Sequence, residues 1–197
     1  MGLISNGTTL LDAGAIDSGV ATGAMTLLST ATASNSSTIT FNSGINSTYK
    51  EYIVKWFNVH PNSNDQQLTV NFRDGSTAYD ATKTSSAFRV GHAEDNSGQE
   101  LGYQTGQDVA DGTGIQSIHY TANQDEASSS GILHLFDPSS TTFVKHYIIV
   151  NSADRNAQCE QQYIAGYCDV TAAIDGIQFG TNVNTIGSGT FKLYGVK

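Results

Sequence analysis

Five histidines, eighteen acids, two cysteines and many hydroxyls are the side chains of this 197-residue chain that could carry chemistry. The histidines are His60, His92, His119, His134 and His146. A metal site needs several of them converging at ligand spacing, and the chain has no HExxH and no CxxC. His119, His134 and His146 each sit among apolar neighbours in strand-like runs, so half-buried, hydrogen-bonded rings are expected there. A serine hydrolase would show a G-x-S-x-G elbow, which is absent; Gly187-Ser188-Gly189 reads as a hairpin turn. Glycoside cleavage needs two carboxyls ~5–9.5 Å apart, and nothing in the spacing of the acids sets such a pair. Glu94-Asp95, Asp108, Asp111 and Asp125-Glu126 all fall in loop-like, solvated stretches. Asn123-Gln124-Asp125-Glu126 comes nearest to a calcium loop but lacks its glycine and spacing. No catalytic, cofactor-binding or metal-ligating residue is assigned, no cofactor is expected, and the chain reads as a non-enzyme.

Cys159 and Cys168 lack the paired clusters of a zinc site. Two free thiols are expected of a chain made in a reducing cytoplasm. A bridge closing residues 160–167 is the alternative. Trp56 lies in the strongest apolar run and is assigned to the core, whereas Tyr79, Tyr103 and Tyr120 are candidates for exposed rings that stack on sugars. Sequons at Asn6, Asn35 and Asn46 are expected by chance in a chain so rich in Ser and Thr.

Those residues must be held by elements, and composition says of what kind. Charged residues are 14% of the chain, against an ordinary ~25%. Hydroxyls, amides and 20 glycines fill the difference. The net charge of −9 and nine scattered Lys and Arg supply no basic stripe for phosphates, so nucleic acid is not an expected partner. No run of ~18 apolar residues exists, so membrane insertion is not expected, and Met1 to Gly14 shows no signal-peptide pattern.

From Ser36 onward the pattern is that of strands. Tyr49 to Val59 is rich in β-favouring side chains, and Leu68-Thr69-Val70-Asn71-Phe72 alternates cleanly. Ala87 to Val90, Ile115 to Tyr120, Gly131 to Phe136, Phe143 to Val150, Tyr163 to Val170, Ile174 to Phe179 and Gly189 to Val196 continue the series. Phe143 to Val150 is nearly all apolar, as for a central buried strand. Thr77 to Ser86 is the one stretch where a short helix is admissible. About ten short strands separated by Gly, Asn, Asp and Ser clusters predict an all-β fold, an antiparallel jelly-roll-like β-sandwich. Residues 2–34 hold no aromatic and no basic residue and are rich in Ala, Gly, Thr and Ser. They predict an extended N-terminal arm, 1–34, for assembly or anchoring beside a sandwich domain, 35–197, pinned either by that domain itself or by a neighbouring chain.

Several stretches carry a family likeness: Gly2 to Gly14 (GLISNGTTLLDAG), Ser47 to Pro61 (STYKEYIVKWFNVHP), Leu101 to Asp108 (LGYQTGQD) and Leu133 to His146 (LHLFDPSSTTFVKH). The most specific are the last two, Ala173 to Phe179 (AIDGIQF) and Ile186 to Gly195 (IGSGTFKLYG). In these the chain resembles small virion structural proteins of tailed bacteriophages, especially marine phages of cyanobacteria and other ocean bacteria. Related proteins end in an I-D-x-I/F-x-F … I-x-x-G-T-x-K-L-Y-G pattern. Physically, Ile174, Ile177 and Phe179 point one strand into the core, and Thr190 to Tyr194 returns as a closing strand antiparallel to it. The resemblance implies a non-enzymatic role on the particle, and brings no catalytic motif with it. The expected function is a surface decoration, cement or appendage subunit of the virion, assembled in the host cytoplasm. Its expected partners are copies of itself and the capsid or tail proteins. The alternative is a tail-associated module that recognises host-surface glycan.

Overall fold

The computed structural model describes residues 3–5, 8–12, 15–16, 25–121, 126–155 and 157–197. It is an antiparallel β-sandwich with no helix among the described residues. The stretch 77–82 holds bends rather than a helical turn, and 83–86 already belongs to a strand. Thr84, Ser85 and Ser86 pair along their neighbours there, so the helix admissible from sequence loses to the sheet ladder.

The larger sheet has nine strands. In spatial order they are β10 (Val109–Gly112), β8 (Lys83–Ala93), β14 (Gln158–Cys168), β13 (Lys145–Asp154), β12 (Ser129–Phe136), β6 (Glu51–Pro61), β16 (Ile186–Val196) and β4 (Met25–Ser36). The ninth, β9 (Gln99–Tyr103), pairs with β8 beyond β10. The smaller sheet has four strands, in the order β11 (Gln116–Thr121), β7 (Gln66–Arg73), β15 (Gly176–Thr181) and β5 (Ile39–Phe41). Before residue 25 the described backbone forms three short strands that pair with one another: β1 (Leu3–Ser5), β2 (Thr8–Asp12) and β3 (Ala15–Ile16). The strands outnumber the ten read from sequence, and several run to 10–12 residues. The division expected at residue 34 falls inside β4, which pairs with β16 from Met25 to Ser36 as part of the domain's own sheet.

The core lies between the sheets, where strand alternation puts one face of each. On β6 the inward positions Tyr52, Val54 and Trp56 have no exposed surface. Trp56 meets Phe179 of β15 at 5.9 Å, Phe179 meets Phe191 of β16 at 5.1 Å, and Phe72 of β7 meets Tyr147 of β13 at 5.0 Å. These tilted ring pairs join the two sheets. Burial of a large ring is the biggest single apolar contribution available to a sandwich, with ring-pair geometry adding about 0.5–1.5 kcal/mol. The closing strand, β16, does not pair with β15 as sequence suggested. The turn after Thr181 carries the chain from the small sheet to the large one, so the two strands face each other through Phe179 and Phe191.

Both cysteines lie on β14, Cys159 exposed and Cys168 buried. Nine residue-to-residue steps of extended chain separate them by roughly 30 Å, far beyond the ~7 Å limit for a bridge. The segment that a bridge would have looped out is continuous strand. Reductant is therefore expected to leave the thermal midpoint of the monomeric fold unchanged. A fall in that midpoint on adding dithiothreitol, followed by calorimetry, would contradict the arrangement.

Candidate assembly surface

The four-stranded sheet packs on the inward face of the nine-stranded one; among the described residues the outward face of the larger sheet stays open. Register places its side chains in rows that run across the strands. One row is Tyr103, Phe88, Tyr163, Val150 and Ile132, from β9 to β12. It continues into Lys55 of β6 and Lys192 of β16. The next row, two residues along each strand, is Ser86, Ala165, Ile148, His134 and Ile53. A third contains Thr84, Tyr167, His146 and Phe136. Large apolar side chains are exposed here: Leu101 75%, Tyr103 56%, Phe88 43%, Ile148 43% and Val90 39%. Because Ser86 and Ala165 are short and Tyr167, His146 and Phe136 are tall, the middle row sinks into a groove of about 530 Å³. Phe88 and Tyr163 stack on each other, centroids 4.8 Å apart at 12°, and form a ridge beside it. Contiguous apolar surface of this kind marks interaction sites on soluble proteins.

Phe143 to Val150 thus yields a strand, β13, that is central in its sheet but buried on one face only. Tyr147 and Ile149 point inward with no exposure, while His146 and Ile148 are exposed.

The histidines scatter. Nδ1 of His60 lies 2.6 Å from the Ala127 carbonyl, to which it donates, and His92 is exposed at the end of β8. His134 pairs through Nδ1 with Glu51, and exposed His146 meets the Tyr167 ring edge-on at 5.9 Å. His119 is fully buried on β11, and among the described residues neither ring nitrogen has a protein hydrogen-bond partner. Burial alone lowers its pKa to about 3, so the ring is neutral. Among the described residues no three His, Cys, Asp or Glu side chains lie together as a metal site would require. Part of the calcium-like stretch, 123–125, lies outside the described residues, as does Asn6; Glu126, Asn35 and Asn46 are exposed.

Of the tyrosines considered for stacking, only Tyr103 is well exposed, and its hydroxyl donates to Asp108 Oδ2 at 2.7 Å. Tyr79 is covered by the Arg73 guanidinium at 5.7 Å and Tyr120 by that of Arg155 at 4.6 Å. Glu94, Asp95 and Asp111 are exposed, and Gly187-Ser188-Gly189 lies within β16, with Ser188 exposed, rather than forming the hairpin turn read from sequence.

Three charges absent from the candidates that sequence offers are buried instead. Glu160 of β14 is held between Arg89 Nη1 at 3.3 Å and Arg155 Nη1 at 3.5 Å. Burial raises its pKa despite those two cations. Lys83 and Lys145 flank Cys168 in register on β8 and β13. Lys83 donates to the Gly114 carbonyl at 2.6 Å, and Lys145 to those of Val170 and Ser140. Each lysine ties a loop carbonyl to the sheet, and burial lowers both lysine pKa values. Burial also pushes the Cys168 thiol up to about 12, far from a reactive thiolate. Strand parity is the signal that could have found them: Glu160 and Gln162 share their face with Ile164 and Cys168, and Lys83 shares its face with Ala87.

The other feature open to a partner is β4. It ends the sheet, spans 12 residues without a single charge or proline, and is exposed along most of its length. Edge strands of soluble proteins are ordinarily guarded by Lys, Pro, bulges or shortness. The ridge, the groove and this unguarded edge are the features of the described surface suited to binding another chain. No protein-family model matches the chain, and no curated protein is similar to it.

Proposed function

We propose that the chain is a non-enzymatic structural subunit of a phage virion, a surface decoration, cement or appendage protein that assembles with copies of itself and with capsid or tail proteins. The observation that carries the assembly role is the uncharged, 12-residue edge strand β4, whose outer edge is unpaired among the described residues and is a template for strand addition from a neighbour. The hydroxyl-rich, charge-poor surface supports it, because such a surface packs without desolvating many ions. The phage placement rests on the resemblance in 173–179 and 186–195. Glycan recognition is the weaker reading. Phe88 and Tyr163 turn their faces to each other and offer only edges to a sugar, and two of the three candidate tyrosines are capped by arginines.

Immunogold labelling of purified particles tests the location. Label on the particle surface is expected, and particles lacking the protein would refute the role. Thr32→Lys with Ser34→Lys guards the edge with charge at exposed positions. The pair is expected to leave the thermal midpoint in place and to cut incorporation into particles at least about tenfold, roughly 1.4 kcal/mol of binding. Incorporation at the wild-type level would show that β4 is not the joint.

A further inference from the structure

We propose that the outward face of the nine-stranded sheet is a two-fold interface between copies of this chain, with the Phe88–Tyr163 ridge of each copy seated in the Ser86–Ala165 groove of the other. The inference deepens the assembly role above, but it concerns a different surface from β4, and its test needs no particle.

Three observations select a second copy as the occupant. The first is self-complementarity. Ridge and groove are adjacent parallel rows on one face. A two-fold axis running between them, in the plane where two such faces meet, lays each ridge over the partner's groove. This is the geometry of an isologous contact, in which one patch serves both sides. The second is size. Five strands, β8 to β6, over the four rows from Thr84 to Val90 measure roughly 24 by 26 Å at ordinary strand spacings, and β9 adds roughly 5 by 13 Å beside the upper two rows, for roughly 690 Å² in all. A standard stable interface takes about 800 Å² from each partner. The third is charge. The chain carries −9, yet the outward positions of β8, β14, β13 and β12 between Thr84 and Val90, Gln161 and Tyr167, His146 and Ser152, and Ser130 and Phe136 hold no carboxylate, and Glu51, the outward acid of β6 in the patch, is already paired with His134. Two like-charged copies can therefore approach through this face without opposing their acids. Lys55 and Lys192, at the far end of the ridge row, come over the partner's Ile53 and Tyr194 rather than over its lysines. Within one chain Lys55 already lies 5.8 Å from the Tyr194 ring centre, so a second cation–π contact of the same kind is available across the axis.

Sedimentation equilibrium of the full chain at micromolar concentration tests the proposal. The wild type is expected to be a dimer or a larger even assembly. Ala165→Glu and, separately, Ser86→Glu place a carboxylate on the groove floor at exposed sites, so folding is expected to persist, as the thermal midpoint will report. Each is expected to weaken association at least 100-fold. Ser47→Glu, in the exposed loop before β6, is expected to leave association unchanged. A monomeric wild type at 100 times that concentration, or groove variants that associate as the wild type does, would overturn the proposal. Either result would leave the particle-labelling test untouched. Loss of association in Thr32→Lys/Ser34→Lys with none in the groove variants would assign self-assembly to β4 instead and overturn the face-to-face interface.

Discussion

Gly131→Ala is expected to destabilise the fold by about 3 kcal/mol or more, at the upper end for overpacking a core. Gly131 sits on β12 between Trp56 of β6 and Asn151 of β13, in register with both. A Cβ there would run into Trp56 Cζ2 and lie 2.7 Å from Asn151 Cβ. Neither neighbour can step aside. Trp56 has no exposed surface and is packed against Phe179, and the Asn151 Cβ is fixed to a central strand. The glycine is there to let the indole lie across β12. Urea titration of the variant measures the loss as a lower midpoint. Trp56→Leu alone is expected to cost about 2–4 kcal/mol through the cavity it leaves. Combined with Gly131→Ala it is expected to cost less than the sum, because the added methyl then occupies part of that space. Strict additivity in this cycle would show that the contact is not what makes the position glycine.

Stability is expected to fall as the solution is acidified from about pH 6.5 towards pH 3, with His119 as a principal cause. Its folded pKa is lowered from 6.5 to about 3 by burial. Between those values the unfolded chain binds the proton and the folded chain refuses it, so the contribution is fully present above 6.5 and is lost on acidification. The slope approaches ~1.4 kcal/mol per pH unit, and the full window is worth roughly 4–5 kcal/mol, comparable with the whole stability of many domains. Glu160 acts in the opposite sense. Its folded pKa is raised, so the folded state takes up that proton first and gains stability as pH falls towards 4.5. The steepest net loss is therefore expected below about pH 4.5, where only the histidine difference of the two remains. His119→Leu removes the titration and a ring whose nitrogens have no protein partner among the described residues. It is expected to be near neutral at pH 7.5 and markedly more stable than wild type at pH 4, measured by urea midpoints at each pH. An unchanged acid slope in His119→Leu would contradict the assignment.

Much of the core is legible in the residue order. The alternation of Leu68, Val70 and Phe72 places those three inside, as does the position of Trp56 within the run from Tyr49 to Val59. Both follow from the two-residue period of a strand. Continuous apolarity is a weaker guide. Phe143 to Val150 reads as buried on both sides, but a face covered by the same chain and a face left for another molecule require the same residue types. Glu160, Lys83 and Lys145 escape a reading by residue type because charge ordinarily means surface. They are tolerated inside because arginines meet the one and loop carbonyls the others, and those partners are remote in sequence.

From the residues alone come the strand class of the fold, the turns that punctuate it, the aromatic centre of the core and the lack of any recognisable catalytic motif. Each depends on local periodicity or on short-range spacing, which a linear chain displays openly. The tertiary structure alone decides that the sheets are unequal, nine strands against four, that β4 closes onto β16 instead of reaching out, and that ridge and groove lie side by side. Strand pairing is made by backbone groups that every residue shares. Which strands become neighbours, and hence which apolar rows are left uncovered, is settled only when the whole chain competes for the same edges.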